Sequence, residues 1–195
     1  TFTIDNTAPT VTLTDTDSDN LTSGSSVVTI TATFSESMAV TPTINITGEV
    51  SNVAMTASST ASVWIYPWTV STTTSGIVSA TVAGTDVSGK AYAGTTSITF
   101  TIDNTAPTVN ITTSDSDNTV KSADSNITVT ATFNEAMATA PRITIGSAVN
   151  NTALTATSST TWTYTWDISS VTEGSYTVTV TGTDLPGNTY AGTDS

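Results

Sequence analysis

One segment of eleven residues occurs twice in this chain without a change. Thr-Phe-Thr-Ile-Asp-Asn-Thr-Ala-Pro-Thr-Val stands at positions 1–11 and again at 99–109, a spacing of 98 residues. A period of this length predicts tandem whole domains, because solenoid and propeller units are only ~20–50 residues long. The repeated Ala-Pro predicts a short, stiff joint, since proline fixes its own φ and restricts the residue before it.

The repetition sets the expected domain boundaries. Residues 1–4 match the end of the first full repeat, so we interpret them as the closing strand of a preceding repeat. The first repeat then covers 5–103 and the second covers 104–195, which stops before its own closing strand. Each repeat is large enough to build one hydrophobic core.

Composition excludes several classes of function. The chain has no Cys and no His, so disulfides, thiol nucleophiles, imidazole bases and zinc sites of the usual type are absent. Sixteen acidic residues against three basic ones give a formal charge of −13, which argues against nucleic acid and anionic membranes as partners. No apolar run is long enough for membrane insertion. Small cations are the partners that this charge favours.

Alternation of apolar residues with Thr predicts strands throughout. The clearest run is Val28, Ile30, Ala32 and Phe34, and it recurs at positions 127–133. We expect Val78, Val82 and Phe100 to complete the first core. About seven short strands per repeat, with turn signals between them, predict an all-β chain of two tandem immunoglobulin-like antiparallel sandwiches without disulfides.

The four tryptophans stand on two equivalent strands. Trp64 and Trp68 flank Tyr66 in the first repeat, and Trp162 and Trp166 flank Tyr164 in the second. Burial in the core is the usual fate of such residues, while an exposed aromatic strip would indicate glycan binding. Pro67 cannot donate to a strand ladder, which predicts an edge strand or a bulge at this position.

Three motifs together resemble the bacterial immunoglobulin-like repeats of large cell-surface adhesins. They are Asp-Asn-Thr-Ala-Pro-Thr-Val, Ala-Thr-Phe-Ser-Glu-Ser-Met and Gly-Thr-Asp-Val-Ser-Gly, and the resemblance covers both repeats. The family's late loop has the pattern Asp-x-x-Gly-Asn, which Asp184 to Asn188 fits and which Asp86 to Lys90 departs from at its last residue. The resemblance implies an extracellular, surface-anchored stalk that in some relatives is stiffened by calcium.

In immunoglobulin topology the domain entry and two of the loops lie at one end of the sandwich, which brings separated acidic residues together. We therefore predict two Ca²⁺ sites, because this ion takes six to eight oxygen ligands. The alternative is a set of ordinary turn residues that cap their own backbone. The predicted ligands are Asp5, Asn6, Glu36 and Asp86 in the first repeat and Asp103, Asn104, Glu135 and Asp184 at the middle joint.

Two acidic loops form weaker metal candidates. They contain Asp15, Asp17, Asp19 and Asn20 in the first repeat and Asp115, Asp117 and Asn118 in the second. Their alternating acids resemble the first half of an EF-hand loop, but the Gly and the terminal Glu of that motif are missing. A solvated acidic turn, at a hairpin end, is the simpler interpretation.

Two hypotheses of function follow. The first is a structural spacer in the stalk of an extracellular adhesin, whose partners are the neighbouring repeats of the same chain. The second is a module that itself binds a glycan or a protein surface. The equivalence of residues 1–4 and 99–102 also predicts head-to-tail strand addition between copies. We find no residue set that indicates an enzyme. Rows of Thr could order water as ice-binding surfaces do, but a 98-residue period gives no flat short-repeat array.

Overall fold

The computed structural model describes residues 4–115, 117, 119–120, 125–190 and 192. The chain divides into a first unit, Thr1–Asn104, and a second unit, Thr105–Ser195. Within the described residues every regular element is a β-strand. None of these residues forms a helix of the length and apolarity that crossing a membrane would require.

The first unit contains nine strands within its described residues. They are β1 (Val11–Thr14), β2 (Leu21–Thr22), β3 (Val27–Phe34), β4 (Thr43–Ile46), β5 (Val50–Ala54), β6 (Thr56–Ala57), β7 (Val63–Thr69), β8 (Gly76–Ala83) and β9 (Ser97–Ile102). One sheet has the order β1-β3-β7-β6 and the other β2-β9-β8-β4-β5. All neighbours are antiparallel except β2 and β9, which run parallel.

The second unit repeats most of this plan. Its described strands are β10 (Val109–Thr113), β11 (Asn126–Phe133), β12 (Arg142–Ile145), β13 (Val149–Ala153), β14 (Thr155–Ala156), β15 (Thr161–Asp167), β16 (Val178–Thr183) and β17 (Thr189–Tyr190). They form the sheets β10-β11-β15-β14 and β13-β12-β16-β17. Both units are therefore antiparallel sandwiches of the predicted class.

The core of the first unit lies between its two sheets. On β3 the side chains of Val28, Ile30, Ala32 and Phe34 are buried, while the threonines between them face outward or lie half-buried. Val78, Val82 and Phe100 meet them from the opposite sheet. The period-2 pattern thus predicted the core face of this strand correctly, because successive strand residues point to opposite sides.

Three of the four tryptophans are core residues. Trp68 is 1% exposed, and Trp64 and Trp162 are each 9% exposed. Trp166 is half-buried and its ring packs edge-on against Tyr176, with 5.4 Å between ring centroids. An exposed strip formed by all four tryptophans is therefore excluded.

Pro67 lies on an inner strand, so the prediction of an edge strand is wrong. β7 pairs with β3 on one side and β6 on the other. Pro67 is opposite Thr29, whose N–H bonds Thr16 Oγ1 (3.0 Å) instead of β7. The proline nitrogen therefore faces away from β3. On that side of β7 the strand β6 pairs only with Ile65 and Trp64. The proline is tolerated because its side of the strand is locally unpaired.

The acidic loop after β1 does not close a simple hairpin. β1 does pair with β3, but β2 lies between them in sequence and pairs with β9 in the other sheet. The chain therefore switches sheets after this loop. The sequence also gave no signal for the short strands β5, β6, β13 and β14, whose residues are mostly exposed and lack alternation.

Candidate metal centre

Asp86 is a buried carboxylate in the loop after β8. The residue is 0% exposed. Its Oδ1 accepts three hydrogen bonds, from Ser88 N (2.8 Å), Ser88 Oγ (2.7 Å) and Lys90 N (2.8 Å). Its backbone N–H donates to Lys90 O (2.9 Å), which closes the turn around the carboxylate. The turn fixes the Asp86 side chain in one orientation.

The second carboxylate oxygen of Asp86 has a different environment. Oδ2 is shielded from solvent and has no hydrogen-bond partner among the residues that the structure describes. Buried carboxylate oxygens are normally satisfied, since leaving an ionised group desolvated and unpaired costs free energy. A buried carboxylate oxygen of this kind would be stabilised by a cation or a hydrogen-bond donor beside it.

Two further carboxylates converge on Asp86. Glu36 comes from the loop after β3, and an isolated bridge between Met38 and Asp86 holds that loop against the late loop. Asp5 comes from the segment before β1, where its Oδ1 accepts Thr7 N (3.0 Å) and fixes a local turn. Asp5, Glu36 and Asp86 each offer one oxygen, and these oxygens all lie within 4.8 Å of one another.

The segment that carries Asp5 is attached to the Glu36 loop by its own hydrogen bonds. Thr10 N donates to Ser35 Oγ (3.0 Å), and Ser35 N donates to Thr10 O (2.9 Å). Pro9, which precedes Thr10, is buried. Three separate parts of the sequence are thereby positioned at one place, as the sandwich topology predicts.

The charges of this cluster perturb one another. Loss of hydration raises the pKa of Glu36 above its ordinary value, and the negative charges of Asp86 and Asp5 raise it further. Loss of hydration also acts to raise the pKa of Asp86, but the hydrogen bonds from Lys90, Ser88 and Gly89 outweigh it and hold that pKa below its usual range. The hydrogen bonds thus favour the ionised form of Asp86, whereas the surroundings of Glu36 favour its protonated form.

The second unit contains the equivalent of this late loop. Asp184 is 0% exposed, and its Oδ1 accepts Gly187 N (2.8 Å) and Asn188 N (2.6 Å). An isolated bridge joins Met137 to Asp184, which places the loop that contains Glu135 alongside it. Asp184 Oδ2 differs from its first-unit counterpart because it accepts Asn188 Nδ2 (3.0 Å). Lys90 replaces that asparagine in the first unit.

Asp103 belongs to the first unit, at the end of β9, where its N–H donates to Thr22 O (2.9 Å). It occupies the position that Asp5 holds one period earlier. Its convergence with Glu135 and Asp184 stays a prediction from this equivalence.

The side chain of Asn104 makes hydrogen bonds within the first unit, and its role as a metal ligand stays a prediction. Its Nδ2 donates to Ser71 O (3.0 Å) and to Thr74 O, and its Oδ1 accepts Gly24 N. The amide ties two loops of the first unit to the end of β9. Asn6, its counterpart one period earlier, is exposed and stays a candidate only.

The weaker acidic loops are turn structures. Asp15 Oδ1 accepts Asp17 N (2.8 Å), Asp17 Oδ1 accepts Asp19 N (3.3 Å), and Asp19 Oδ1 accepts Leu21 N (3.1 Å). Burial, together with neighbouring Asp19, raises the pKa of Asp17. Asn20 adopts a positive φ of 58° within this loop. Each carboxylate thus caps the backbone two residues ahead, which is the simpler of the two interpretations.

The second acidic loop has the same character where it is described. Asp115 Oδ1 accepts Asp117 N (3.0 Å), and Asp117 Oδ1 accepts Thr119 N (2.8 Å). Asn118, also predicted as a weak candidate, lies outside the described residues.

Sequence reasoning missed the residues that orient Asp86. Ser88 and the Lys90 backbone bind one oxygen of Asp86, and the other oxygen accepts no hydrogen bond from the described residues. The signal was present, because in Asp86-Val-Ser-Gly89 an aspartate stands two residues before Ser-Gly, which is typical of a turn in which the aspartate accepts N–H groups ahead of it. A site with three converging carboxylates and one unpartnered buried oxygen suits a hard cation with oxygen ligands.

Comparisons with known proteins support the fold. Residues 107–180 match the family described as bacterial Ig domain. One solved structure matches this chain with a TM-score of 0.55 and 22% sequence identity. It comes from work on host cell surface retention of a 1.5-MDa bacterial ice-binding adhesin. That match covers 94% of this chain and 61% of the other, so this chain spans less than two thirds of its length.

A second solved structure is a tetra-tandem repeat in the extending region of a large adhesion protein. It has 22% identity and a TM-score of 0.37, and covers 94% of this chain and 48% of that one. A search of curated protein sequences finds no match. The second unit therefore contains a match to the bacterial Ig domain family, and the first unit repeats its sequence motifs and its sandwich plan.

Proposed function

We propose that these repeats are spacer modules in the extracellular stalk of a bacterial adhesin, and that Ca²⁺ ties the entry segment of a repeat to its body. The proposal includes no enzymatic activity. Its partners are the neighbouring repeats of the same chain. The ion would be held by Asp5, Glu36 and Asp86, with backbone carbonyls and water completing its coordination.

The observation that carries this proposal is the Asp86 carboxylate. It is buried, one of its oxygens has no partner, and two other carboxylates offer oxygens within 4.8 Å of it. Without a cation this arrangement combines desolvation with repulsion between like charges. A divalent cation would satisfy the unpartnered oxygen and reverse the sign of the electrostatic interaction.

The mechanical consequence comes from where the ligands lie in the sequence. Asp5 precedes β1, whereas Glu36 and Asp86 belong to loops of the sandwich. An ion bound by all three would restrict the angle at which the chain enters the repeat. The same residue types recur one period later as Asp103, Glu135 and Asp184, so we extend the proposal to the entry of the second repeat.

Burial of the tryptophans favours a spacer over a ligand-binding module. The side chains of Trp64, Trp68 and Trp162 are buried in the core, so they are not available to stack on a sugar. The alternative function, binding of a glycan or a protein, depends on the half-buried Trp166 and its neighbour Tyr176 in the second repeat. Those residues alone make a small contact surface.

The test combines calcium titration with small-angle scattering of the whole chain. Calcium should raise the melting temperature, by the equivalent of about 2.7 kcal/mol at a hundredfold excess over the dissociation constant, and chelation should reverse the change. Chelation should also broaden the distribution of angles between the repeats. Identical melting and scattering with calcium and with chelator would reject the calcium proposal.

A further inference from the structure

The late loop of each unit, residues 84–90 in the first and 182–188 in the second, is closed by the same backbone contacts. Asp86 N donates to Lys90 O (2.9 Å), and Asp184 N donates to Asn188 O (3.0 Å). In return, the backbone N–H of Lys90 (2.8 Å) and that of Asn188 (2.6 Å) donate to Oδ1 of the aspartate in their own loop. The two carboxylates therefore occupy equivalent turns, and both residues are 0% exposed.

The further donors to Oδ1 differ between the two loops. In the first unit Ser88 supplies both its backbone N–H (2.8 Å) and its hydroxyl (2.7 Å) to Asp86 Oδ1. Pro186 occupies the equivalent position in the second unit and has no N–H, so Gly187 N donates to Asp184 Oδ1 there (2.8 Å). Oδ1 is hydrogen-bonded in both units despite this change.

The donors to Oδ2 differ in a way that matters more. In the second unit Asn188 Nδ2 donates to Asp184 Oδ2 (3.0 Å). Lys90 replaces this asparagine in the first unit, and its ammonium group does not bond Asp86 Oδ2, which has no donor among the described residues. A buried acceptor without a donor costs free energy, most of all when it is charged. The Asn188 side chain therefore removes from the second loop a cost that the first loop retains.

We propose that the residue at the end of the late loop, Lys90 or Asn188, determines how strongly each repeat depends on the cation. This inference rests on the proposed function and concerns the regulation of the same site. In the first unit a cation satisfies Asp86 Oδ2, which has no donor. In the second unit the Asn188 amide already satisfies Asp184 Oδ2, so the loop keeps its conformation without the ion and gains less from binding it. The two repeats of one chain therefore respond to different degrees when calcium is removed.

The test changes this residue in the first loop of the complete chain. Lys90→Asn introduces the amide, and Lys90→Ala is the control because it removes the same positive charge without supplying a donor. Hydrogen exchange over residues 84–90 is measured in chelator and in calcium chloride. In chelator we expect exchange to be on the order of tenfold slower in Lys90→Asn than in Lys90→Ala, because of the added hydrogen bond to a buried carboxylate. Calcium should slow exchange strongly in Lys90→Ala and only weakly in Lys90→Asn.

The reverse substitution tests the second loop. Asn188→Ala removes the amide from Asp184 Oδ2, so exchange over residues 182–188 should become on the order of tenfold faster in chelator. Asn150→Ala is the control, since Asn150 is exposed on β13 of the same unit. It should leave exchange of the late loop unchanged.

The outcomes separate this inference from the calcium proposal. If calcium slows exchange of the first loop in the wild type, but Lys90→Asn and Lys90→Ala exchange equally in chelator, the role of position 90 is overturned and the proposed function stands. An unchanged second loop in Asn188→Ala would overturn the inference in the same way. If calcium slows exchange of neither loop in the wild type, the proposed function fails, and the dependence on the cation inferred here fails with it.

Discussion

One carboxylate oxygen of Glu36 lies within 4.8 Å of one of Asp86, and both point into the cluster that Asp5 completes. The proximity raises the pKa of Glu36, first through lost hydration and then through the charges of Asp86 and Asp5. Removing the Glu36 charge should therefore reduce the repulsion between these carboxylates and stabilise the first unit when no cation is present.

We expect Glu36→Gln to melt at a higher temperature than the wild type in chelator and to gain less from calcium. The two melting curves should cross as calcium is added, because the same charge that repels its neighbours also binds the ion. Glu173→Gln is the control, since Glu173 is exposed in the second unit. A variant that melts below the wild type in chelator would contradict the repulsion between these carboxylates.

The pH dependence has a defined sign. Since the pKa of Glu36 is raised on folding, the folded state holds its proton more tightly than the unfolded state. In chelator, the contribution of Glu36 to stability should be present below its ordinary pKa of about 4.3 and be lost as the pH rises through the raised value. The lowered pKa of Asp86 acts in the opposite sense, as its stabilisation is lost when the pH falls through that value.

Calcium should reverse the Glu36 contribution, because the ion binds the ionised carboxylate. Stability measured by urea unfolding at a series of pH values, with calcium and with chelator, would separate the two cases. The difference between wild type and Glu36→Gln isolates the glutamate from Asp86. A difference that does not change with pH would show that Glu36 titrates normally.

Phe34 anchors the first core, where its ring packs edge-on against Tyr92 with centroids 6.2 Å apart. Phe34→Ala should reduce the free energy of unfolding of the first unit by about 3–5 kcal/mol, through lost burial and the cavity left behind. Val27→Ala, on the same strand but 61% exposed, should cost far less. A loss below about 1 kcal/mol in urea unfolding would remove Phe34 from the core.

Asn104 should matter for stability in a way that Asn6 does not. Asn104→Ala leaves two carbonyls and the Gly24 N–H without their partner, and the expected loss is about 1–3 kcal/mol. Asn6→Ala changes the equivalent residue one period earlier, which is exposed, and should be close to neutral. Equal effects of the two substitutions on thermal unfolding would remove the structural role given to Asn104.

The sequence predicted those parts of the fold in which pattern and burial coincide. The alternation on β3 identified Val28, Ile30, Ala32 and Phe34 because one side of that strand faces the core. It missed β5 and β6, whose mostly exposed residues carry no alternation. It misplaced Pro67 because the early end of β6, which leaves the proline nitrogen unpaired, is a tertiary feature.

The candidate site, like the fold, could be predicted from the sequence only in part. Topology was enough to bring Asp5, Glu36 and Asp86 together, since all three flank one end of the sandwich. Nothing in the sequence distinguished Asn104, which ties loops together, from the carboxylate beside it. Nor could sequence indicate that one oxygen of Asp86 is fully bonded while the other has no partner, because that depends on the direction of a single side chain.

The most direct test of the central claim is isothermal titration of calcium into the wild-type chain and into Asp86→Asn. The asparagine keeps an oxygen for the N–H groups of Ser88 and Lys90 and places an amide nitrogen where the unpartnered oxygen lies, so the variant should fold. We predict that the wild type binds calcium, that Asp86→Asn loses the binding of the first unit, and that Asp86→Asn with Asp184→Asn loses all of it. Identical titration curves for the wild type and the double variant would contradict the account.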